Sequence, residues 1–394
     1  LLPWLFLIMT TYLNNYQNSI YSTSITDYYN GVLKVGDGNF YGTGNLLYDG
    51  RSVLTAAHVF DGMNYNNLKI YLYDGEKNFT GYAKVTLYKS YDRKNLNGDL
   101  AIITFNTNFL NSYNRYDIYR DSDELYKTYT AVGYGDVGSG LNGNLDLNQI
   151  YKLKTTNTFD SDLKTLIDYS NIKLSWNPLK DSILISDFDD NTYYTDIIGY
   201  LNNKTHIGTG ISEGTIASGD SGGAAFIDNK IAAIASYSTT LNKNGIGDIN
   251  SRIDSSFGEI AAYQRVSYYA EFIDKTIREN LPNAPKNPNE VKKVVSEDET
   301  YAYFMLQFLP LRNSVLDTLS LNYKTVDGTA IAGSDYIETS GVISIYQDES
   351  YAIIPVELLN DNIKEDNEYF YLEVSNPNYG SLGDGVVTLT AIRT

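Results

Sequence analysis

From Gly31 onward apolar and polar positions alternate with a period of two, and glycines mark the turns. Val32-Leu33-Lys34-Val35, Gly42-Thr43-Gly44-Asn45-Leu46-Leu47 and Arg51-Ser52-Val53-Leu54 read as short strands in close succession. An apolar strand spans Leu100 to Phe105, and Ala224 to Ile227 pairs across the turn Asp228-Asn229 with Ile231 to Tyr237. Beyond Ala261 the spacing changes: Tyr269, Phe272, Ile273 and Ile277 recur as on one face of a helix. Leu281 to Asn289 then holds three of only eight prolines and reads as a semi-extended linker, placed at 281–293. After it, short alternating strands return at regular intervals: Tyr301 to Phe308, Ser320 to Val326, Gly341 to Tyr346, Ala352 to Leu358, Tyr369 to Val374 and Val386 to Ile392. Turn-rich gaps separate them, so this part is expected to be an antiparallel β-sandwich.

At 394 residues the chain has room for two or three domains, each with its own core. It has no cysteine, so disulfides, zinc thiolates and a cysteine nucleophile are excluded. The formal charge of −18 works against nucleic acid and anionic membrane surfaces as partners. Residues 290–394 carry 6 Lys/Arg against 17 Asp/Glu, so this last stretch holds most of the imbalance. A solvated surface accounts for that, and so does a cation site. The 37 tyrosines accompany a wealth of Asn, Ile and Lys, as codon bias produces, and imply no aromatic binding surface. The opening run Leu1 to Met9 is apolar but too short to span a bilayer as a helix. It is read as the remainder of a secretory signal over residues 1–20, with a buried strand as the alternative.

Three segments carry candidate chemistry: Leu54-Thr55-Ala56-Ala57-His58, Gly98-Asp99-Leu100-Ala101-Ile102-Ile103 and Gly219-Asp220-Ser221-Gly222-Gly223. Acyl transfer by serine needs a base for the hydroxyl proton, a carboxylate to hold that base, and donors for the oxyanion. Each segment also has a plain structural reading, respectively a core histidine, a turn cap and a tight turn. His206, the other histidine, sits in the polar stretch after Asn202-Asn203-Lys204-Thr205 and reads as surface loop.

Together, and in this order, the three segments resemble the chymotrypsin/trypsin-like serine proteases, whose triad is a standard worked example of this chemistry. The resemblance implies a double antiparallel β-barrel over residues 25–280, closed by a C-terminal helix. It implies His58 as base, Asp99 as its orienting carboxylate, Ser221 as nucleophile, and the N–H groups of Gly219 and Ser221 as oxyanion hole. Ser236 aligns with the residue that supports the triad aspartate, and Tyr237-Ser238 with the edge along which substrate backbone pairs. Thr215 stands at the base of the specificity pocket and Ser238 and Ala261 at its walls. These imply small or medium uncharged side chains at the cleaved position rather than Lys or Arg. Activation is left open between a new terminus near Gly31-Val32, after cleavage at Asn30, and internal pairing of Asp220. The long interval from Asp99 to Ser221 implies surface-loop insertions at 140–200, among them Asn142-Gly143-Asn144 and Asp187-Phe188-Asp189-Asp190-Asn191. The lack of cysteine is more like bacterial than animal members.

Asp327-Gly328-Thr329-Ala330-Ile331-Ala332-Gly333-Ser334-Asp335-Tyr336, Glu365-Asp366-Asn367-Glu368-Tyr369-Phe370 and Ser375-Asn376-Pro377 resemble the Calx-beta domain, over residues 294–394. The resemblance implies calcium at Glu297, Asp335, Asp361 and Glu365, with Asn360 where calcium-binding members often carry an acid. A plain spacer is the other option. The expected protein is therefore a secreted or cell-surface serine endopeptidase acting on polypeptides without a catalytic cofactor. An inactive protease-like scaffold, or a calcium-linked adhesion protein with a surface or matrix partner, are the alternatives.

Overall fold

The computed structural model describes residues 27–394 apart from 64, 107–109, 111, 146–150, 206–207, 308–317, 361–365, 379–381, 383–386 and 394. The expected signal segment, His206, Asp361 and Glu365 lie outside the described residues. The chain divides into two compact units between Thr276 and Ile277.

In the first unit, β1 (Val32–Gly36), β2 (Tyr41–Leu46), β3 (Ser52–Thr55), β4 (Leu68–Tyr73), β5 (Asn78–Leu87) and β6 (Ala101–Phe105) close into a barrel of order β1-β2-β3-β6-β5-β4. Alternation decides which face turns inward: in β4, Ile70 and Leu72 are buried while Lys69 and Tyr71 are exposed. Leu33, Val35, Leu46, Val53, Ile103 and Phe105 fill the barrel.

The same unit contains β7 (Thr128–Gly133), β8 (Val137–Ser139), β9 (Gly143–Leu145), β10 (Leu153–Thr158), β11 (Ser161–Asp162), β12 (Ile183–Asp187), β13 (Ala224–Ile227), β14 (Lys230–Thr240) and β15 (Glu259–Arg265). All but the β8–β9 hairpin join one seven-stranded sheet, ordered β10-β7-β13-β14-β15-β12-β11. This is a half-barrel beside the closed one, in keeping with the expected mainly β class. Tyr129 stacks on Phe159 at 4.2 Å in its core.

Although Leu141 and Asn142 in the β8–β9 turn are exposed, residues 140–200 are not throughout the surface insertions the sequence implied. They supply β10, β11 and β12 and two helices, Leu163–Ser170 and Ile197–Asn202, whose Leu166, Ile167, Ile198 and Leu201 pack with Ile183 and Ile185. Asp162 and Asp196 cap these helices by accepting from Thr165 N and Gly199 N, and each helix stops at a left-handed Asn, Asn171 or Asn203. As the spacing predicted, β15 runs straight into a helix, Val266–Glu279, in whose last turn the first unit ends.

The second unit is the expected sandwich. One sheet, ordered β16-β22-β21-β18-β19, comprises β16 (Val294–Ser296), β22 (Val387–Arg393), β21 (Glu368–Ser375), β18 (Leu319–Asp327) and β19 (Ser340–Ile345). The other pairs β17 (Tyr301–Gln307) with β20 (Tyr351–Glu357). Phe304, Val356, Phe370 and Leu372 form part of the core between them, and Tyr336 stacks on Phe370 at 4.2 Å.

Candidate active site

Strand β3 is buried along its whole length, so the chain leaves the barrel core at Thr55 and turns at once into the single turn Ala57–Phe60. His58 faces outward from that turn while Ala57, Val59 and Phe60 stay buried. Asp99 reaches it from the mouth of β6. Asp99 Oδ1 accepts from His58 N at 2.8 Å and Asp99 Oδ2 lies 2.7 Å from His58 Nδ1. A third donor, Ser236 Oγ, reaches Asp99 Oδ2 at 2.6 Å. A carboxylate only 2% exposed is thus amply hydrogen-bonded, as burial of a charge requires. Burial draws the His58 pKa down, but the hydrogen bond and charge of Asp99 outweigh it, and the ring ends above its ordinary value.

Sequence reasoning missed the residue behind this set. Gln264, fully buried on β15, donates through Nε2 to Ser236 Oγ at 3.3 Å and to Leu96 O at 3.0 Å, while its Oε1 accepts from Gly98 N at 3.2 Å. It therefore fixes both the turn before Asp99 and the hydroxyl beside it. Ser236 itself falls on a register shift between Ala235 and Tyr237 in the β14–β15 ladder. Such a bulge re-aims one side chain by locally interrupting the ladder and bending the strand.

Ser221 comes from the half-barrel side, yet its turn is held by the closed barrel. Thr43 N donates to Ser221 O at 2.8 Å, Thr43 Oγ1 to Gly219 O at 3.0 Å, and Asn45 Nδ2 to Gly222 O at 2.7 Å. Gly222 has φ +88°, and a Cβ there would lie 2.2 Å from Thr43 O and from Thr55 Oγ1, three residues before His58. Only glycine permits so close an approach. Among the described residues, the N–H groups of Gly219 and Ser221 donate to no protein acceptor, and no hydrogen bond joins Ser221 Oγ to His58 Nε2. The structure thus joins His58, Asp99 and Ser236 by hydrogen bonds and packs the Ser221 turn against Thr43, Asn45 and Thr55, next to the start of the His58 turn.

A family model described as Trypsin matches residues 19–171, which include His58 and Asp99, and one described as Calx-beta domain matches 290–392. The chain joins a trypsin-like domain to a Calx-beta domain. Similar curated proteins match through the second part. The sodium/calcium exchanger Calx of Drosophila melanogaster is 32% identical over 69 residues, covering 18% of this chain and 7% of that protein. Sodium/calcium exchanger 1 of Felis catus is 30% identical over 112 residues, covering 26% and 12%. Sodium/calcium exchanger 3 of Homo sapiens is 37% identical over 59 residues, covering 15% and 6%. The chain thus spans about a tenth of the length of these relatives or less. A solved structure, the scabies mite inactivated protease paralogue S-D1, is similar at 17% identity with a TM-score of 0.45, covering 65% of this chain and 96% of that one.

In the trypsin-like domain two of the expected pocket residues, Ser238 and Ala261, are direct cross-strand partners, and Thr215 and Ala261 are each 1% exposed. Strand β13 pairs with β14 only as far as Ile234, and on that side residues 236–240 have no partner strand among the described residues. Asp220, 1% exposed, accepts from Gly135 N at 2.7 Å and from Ala217 N at 2.9 Å. Gly133 and Gly135 leave room for its carboxyl, since a Cβ on either would lie within 2.2 Å of a carboxyl oxygen. Gly31 is engaged elsewhere, donating to Tyr116 Oη at 3.0 Å.

The acidic stretch at 187–191 is a correction to the sequence reading. Asp187, Phe188 and Asp189 are all nearly inaccessible rather than a solvated loop. Backbone donors make this tolerable: Ile198 N reaches Asp187 Oδ2 at 2.7 Å, Asn191 N reaches Asp189 Oδ1 at 2.8 Å, and Asp189 N and Thr209 N reach the Glu213 carboxylate at 3.0 and 2.9 Å. Burial and the neighbouring carboxylates push Asp187 and Glu213 well up and Asp189 up to about 7.

In the Calx-beta domain Glu297 and Asp335 are each 8% exposed, and Asp335 Oδ2 accepts from Ile331 N at 2.6 Å. Asn360 Nδ2 donates to Asp298 Oδ1 at 2.8 Å. Among the described residues no three Asp, Glu or His side chains are grouped so as to hold a metal ion between them as they stand.

Proposed function

We propose that the trypsin-like domain is a working serine endopeptidase, with Ser221 as nucleophile, His58 as base and Asp99 as its orienting carboxylate. The observation that carries the reading is the engagement of His58 by Asp99 at both backbone N–H and ring Nδ1, which leaves Nε2 available to the Ser221 side. Ser221 Oγ attacks the scissile carbonyl and its proton passes to His58 Nε2. The carbonyl oxygen, now anionic, takes the uncommitted N–H groups of Gly219 and Ser221. His58 then hands its proton to the departing amine, and water repeats the sequence on the acyl-enzyme. An extended peptide would add to the unpaired edge of β14 from Tyr237 onward, with its side chain entering between Ser238 and Ala261 above Thr215. Thr215, at the base of that position, is not an acid, so small or medium uncharged side chains are preferred. Asp220 already has two backbone donors, which supports activity in the unprocessed chain. A secreted or surface setting belongs to the same proposal, on the strength of the apolar run at 1–9.

One observation favours a second reading, a binding scaffold: Ser221 Oγ and His58 Nε2 share no hydrogen bond, although such bonds often tighten only with substrate bound. Labelling unprocessed wild type and Ser221→Ala with a fluorophosphonate probe separates the two. Labelling of wild type alone is expected; a folded wild type that stays dark from mildly acidic to alkaline pH would leave the scaffold. For the Calx-beta domain we propose calcium held by Glu297 and Asp335. Their buried carboxylates suit its preference for oxygen, and further ligands would come from Asp361 and Glu365.

A further inference from the structure

The loop from β14 to β15 closes on itself at two glycines: Gly258 has φ +87°, and a Cβ there would lie 2.1 Å from Gly247 O. Between them the sequence runs Asp248-Ile249-Asn250-Ser251-Arg252-Ile253-Asp254-Ser255-Ser256-Phe257-Gly258-Glu259. Counted from Asp248, oxygen-bearing side chains fall at four and eight, as Ser251 and Ser255, and at positions one, three, seven, nine and twelve. That is close to the spacing with which a twelve-residue loop wraps calcium, including its terminal glutamate. Two positions depart from it, Arg252 at five and Ile253 at six.

These side chains meet in the structure. Asn250 Nδ2 donates to Ser256 Oγ at 3.0 Å and to Asp254 Oδ2 at 3.1 Å, and Ser256 Oγ lies 3.4 Å from Asp248 Oδ1. Glu259 Oε1 accepts from Asp254 N at 2.6 Å and from Ser256 N at 3.1 Å, so its carboxylate is drawn in from the far end of the loop. The amide of Asn250 is thus a donor placed among acceptors, where a cation would stand. Turning that amide over would present its oxygen to the ion instead.

An independent observation points to a missing ligand. Glu259 is 1% exposed, yet its Oε2 has no hydrogen-bond partner, and neither has the buried Oδ2 of Asp248. None of Asp248, Asp254 and Glu259 has an ion-pair partner among the described residues. An unpaired oxygen in such a place loses its hydration without compensation, and the more so when charged. A divalent cation would satisfy both orphan oxygens at once. The three carboxylates of Asp248, Asp254 and Glu259 do not converge on one point as they stand, and the amide of Asn250 and the hydroxyl of Ser256 complete the five donors that would close on the ion.

We propose that the loop Asp248–Glu259 binds a calcium ion through Asp248, Asn250, Asp254, Ser256 and Glu259. The site is separate from the Calx-beta carboxylates. Its position gives the ion a purpose: Glu259 begins the strand that carries Ala261, and Ser255 Oγ holds Ile216 O at 2.9 Å, next to Thr215. On the endopeptidase reading, the ion braces both sides of the specificity pocket. Binding itself does not depend on that reading.

The test is calorimetric titration of the metal-stripped full chain with calcium chloride, for wild type, Glu259→Gln, Asp248→Asn and Asp335→Asn. Glu259→Gln keeps an acceptor for Asp254 N and Ser256 N, and Asp248→Asn alters a half-exposed residue, so at least one should fold as wild type by circular dichroism. We expect both loop variants to lose one equivalent of calcium or bind it at least about tenfold more weakly. Asp335→Asn should keep that equivalent, and calcium should slow hydrogen exchange over 248–259. Wild-type titration by both loop variants, loss in Asp335→Asn alone, or no calcium response in wild type would each overturn the proposal. Calcium binding in a chain that no fluorophosphonate labels would leave it standing and remove the endopeptidase.

Discussion

Asp99 holds three donors on two oxygens, so small changes around it should separate orientation from charge. Asp99→Asn presents an amide N–H to a ring that must donate there, and kcat is expected to fall about 10⁴-fold with little change in KM. Ser236→Ala removes one donor from the carboxylate, making it more basic and a stronger partner for the imidazolium. On the endopeptidase reading, activity requires neutral His58, so the rate should rise with pH through a value above that of an ordinary histidine. In Ser236→Ala that limb should move to still higher pH, with kcat down about tenfold, and Ser236→Thr should restore it. A uniform loss of rate with an unmoved limb would mean that Ser236 serves only packing.

At the scale of elements, the Ser221 turn and the start of the last helix invite separate tests. Gly222→Ala would force a Cβ against backbone at φ +88°, costing roughly 1–3 kcal/mol of strain locally. Probe labelling should fall about 100-fold or more while the far-ultraviolet spectrum is kept. Near the helix start, Glu124 is fully buried, bonded to Arg265 and accepting from Ser267 Oγ. Glu124→Ala would strand the Arg265 charge, for a loss on the order of 3–5 kcal/mol and a Tm lower by about 10 °C; Glu124→Gln should cost less. The strands, the His58 turn and the β15-to-helix step were legible because each is written in a few neighbouring residues. Gln264 was not, since its partners Leu96 and Gly98 lie far away in sequence and a glutamine in an alternating strand carries no local signal. Asp187 and Asp189 misled for a related reason. An acidic run looks solvated until one knows that Ile198 N and Asn191 N fold back onto it.

For the whole molecule, two of these buried acids set the response to pH. Asp220 is pushed up to about 7 by burial, against the pull of Ala217 N and Gly135 N and with Asp136 adding to the rise. Asp189 reaches about 7 by burial, with Asp196, Asp160 and Asp190 raising it, the Asn191 N–H lowering it, and Glu213 and Asp187 beside it. In the unfolded chain both would ionise near 3.8. The folded state therefore holds protons that the unfolded state has released, and stability drops as pH climbs toward 7. Melting in a chelator at about pH 5 and about pH 8 should give the higher Tm at the acid end; equal values would mean that both acids are ionised throughout. If His58 is the base of the proposed endopeptidase, hydrolysis needs it neutral and should be fastest where the fold has given up part of this reserve. The grip of Thr43 and Asn45 on the Ser221 turn has an outcome of another kind. On the endopeptidase reading, nucleophile and base sit on a half-barrel and a closed barrel that meet at a non-covalent seam, so two fragments parted between β6 and β7 could recover turnover only by re-forming it. Restored hydrolysis would then report the mating of the halves directly, a built-in complementation assay.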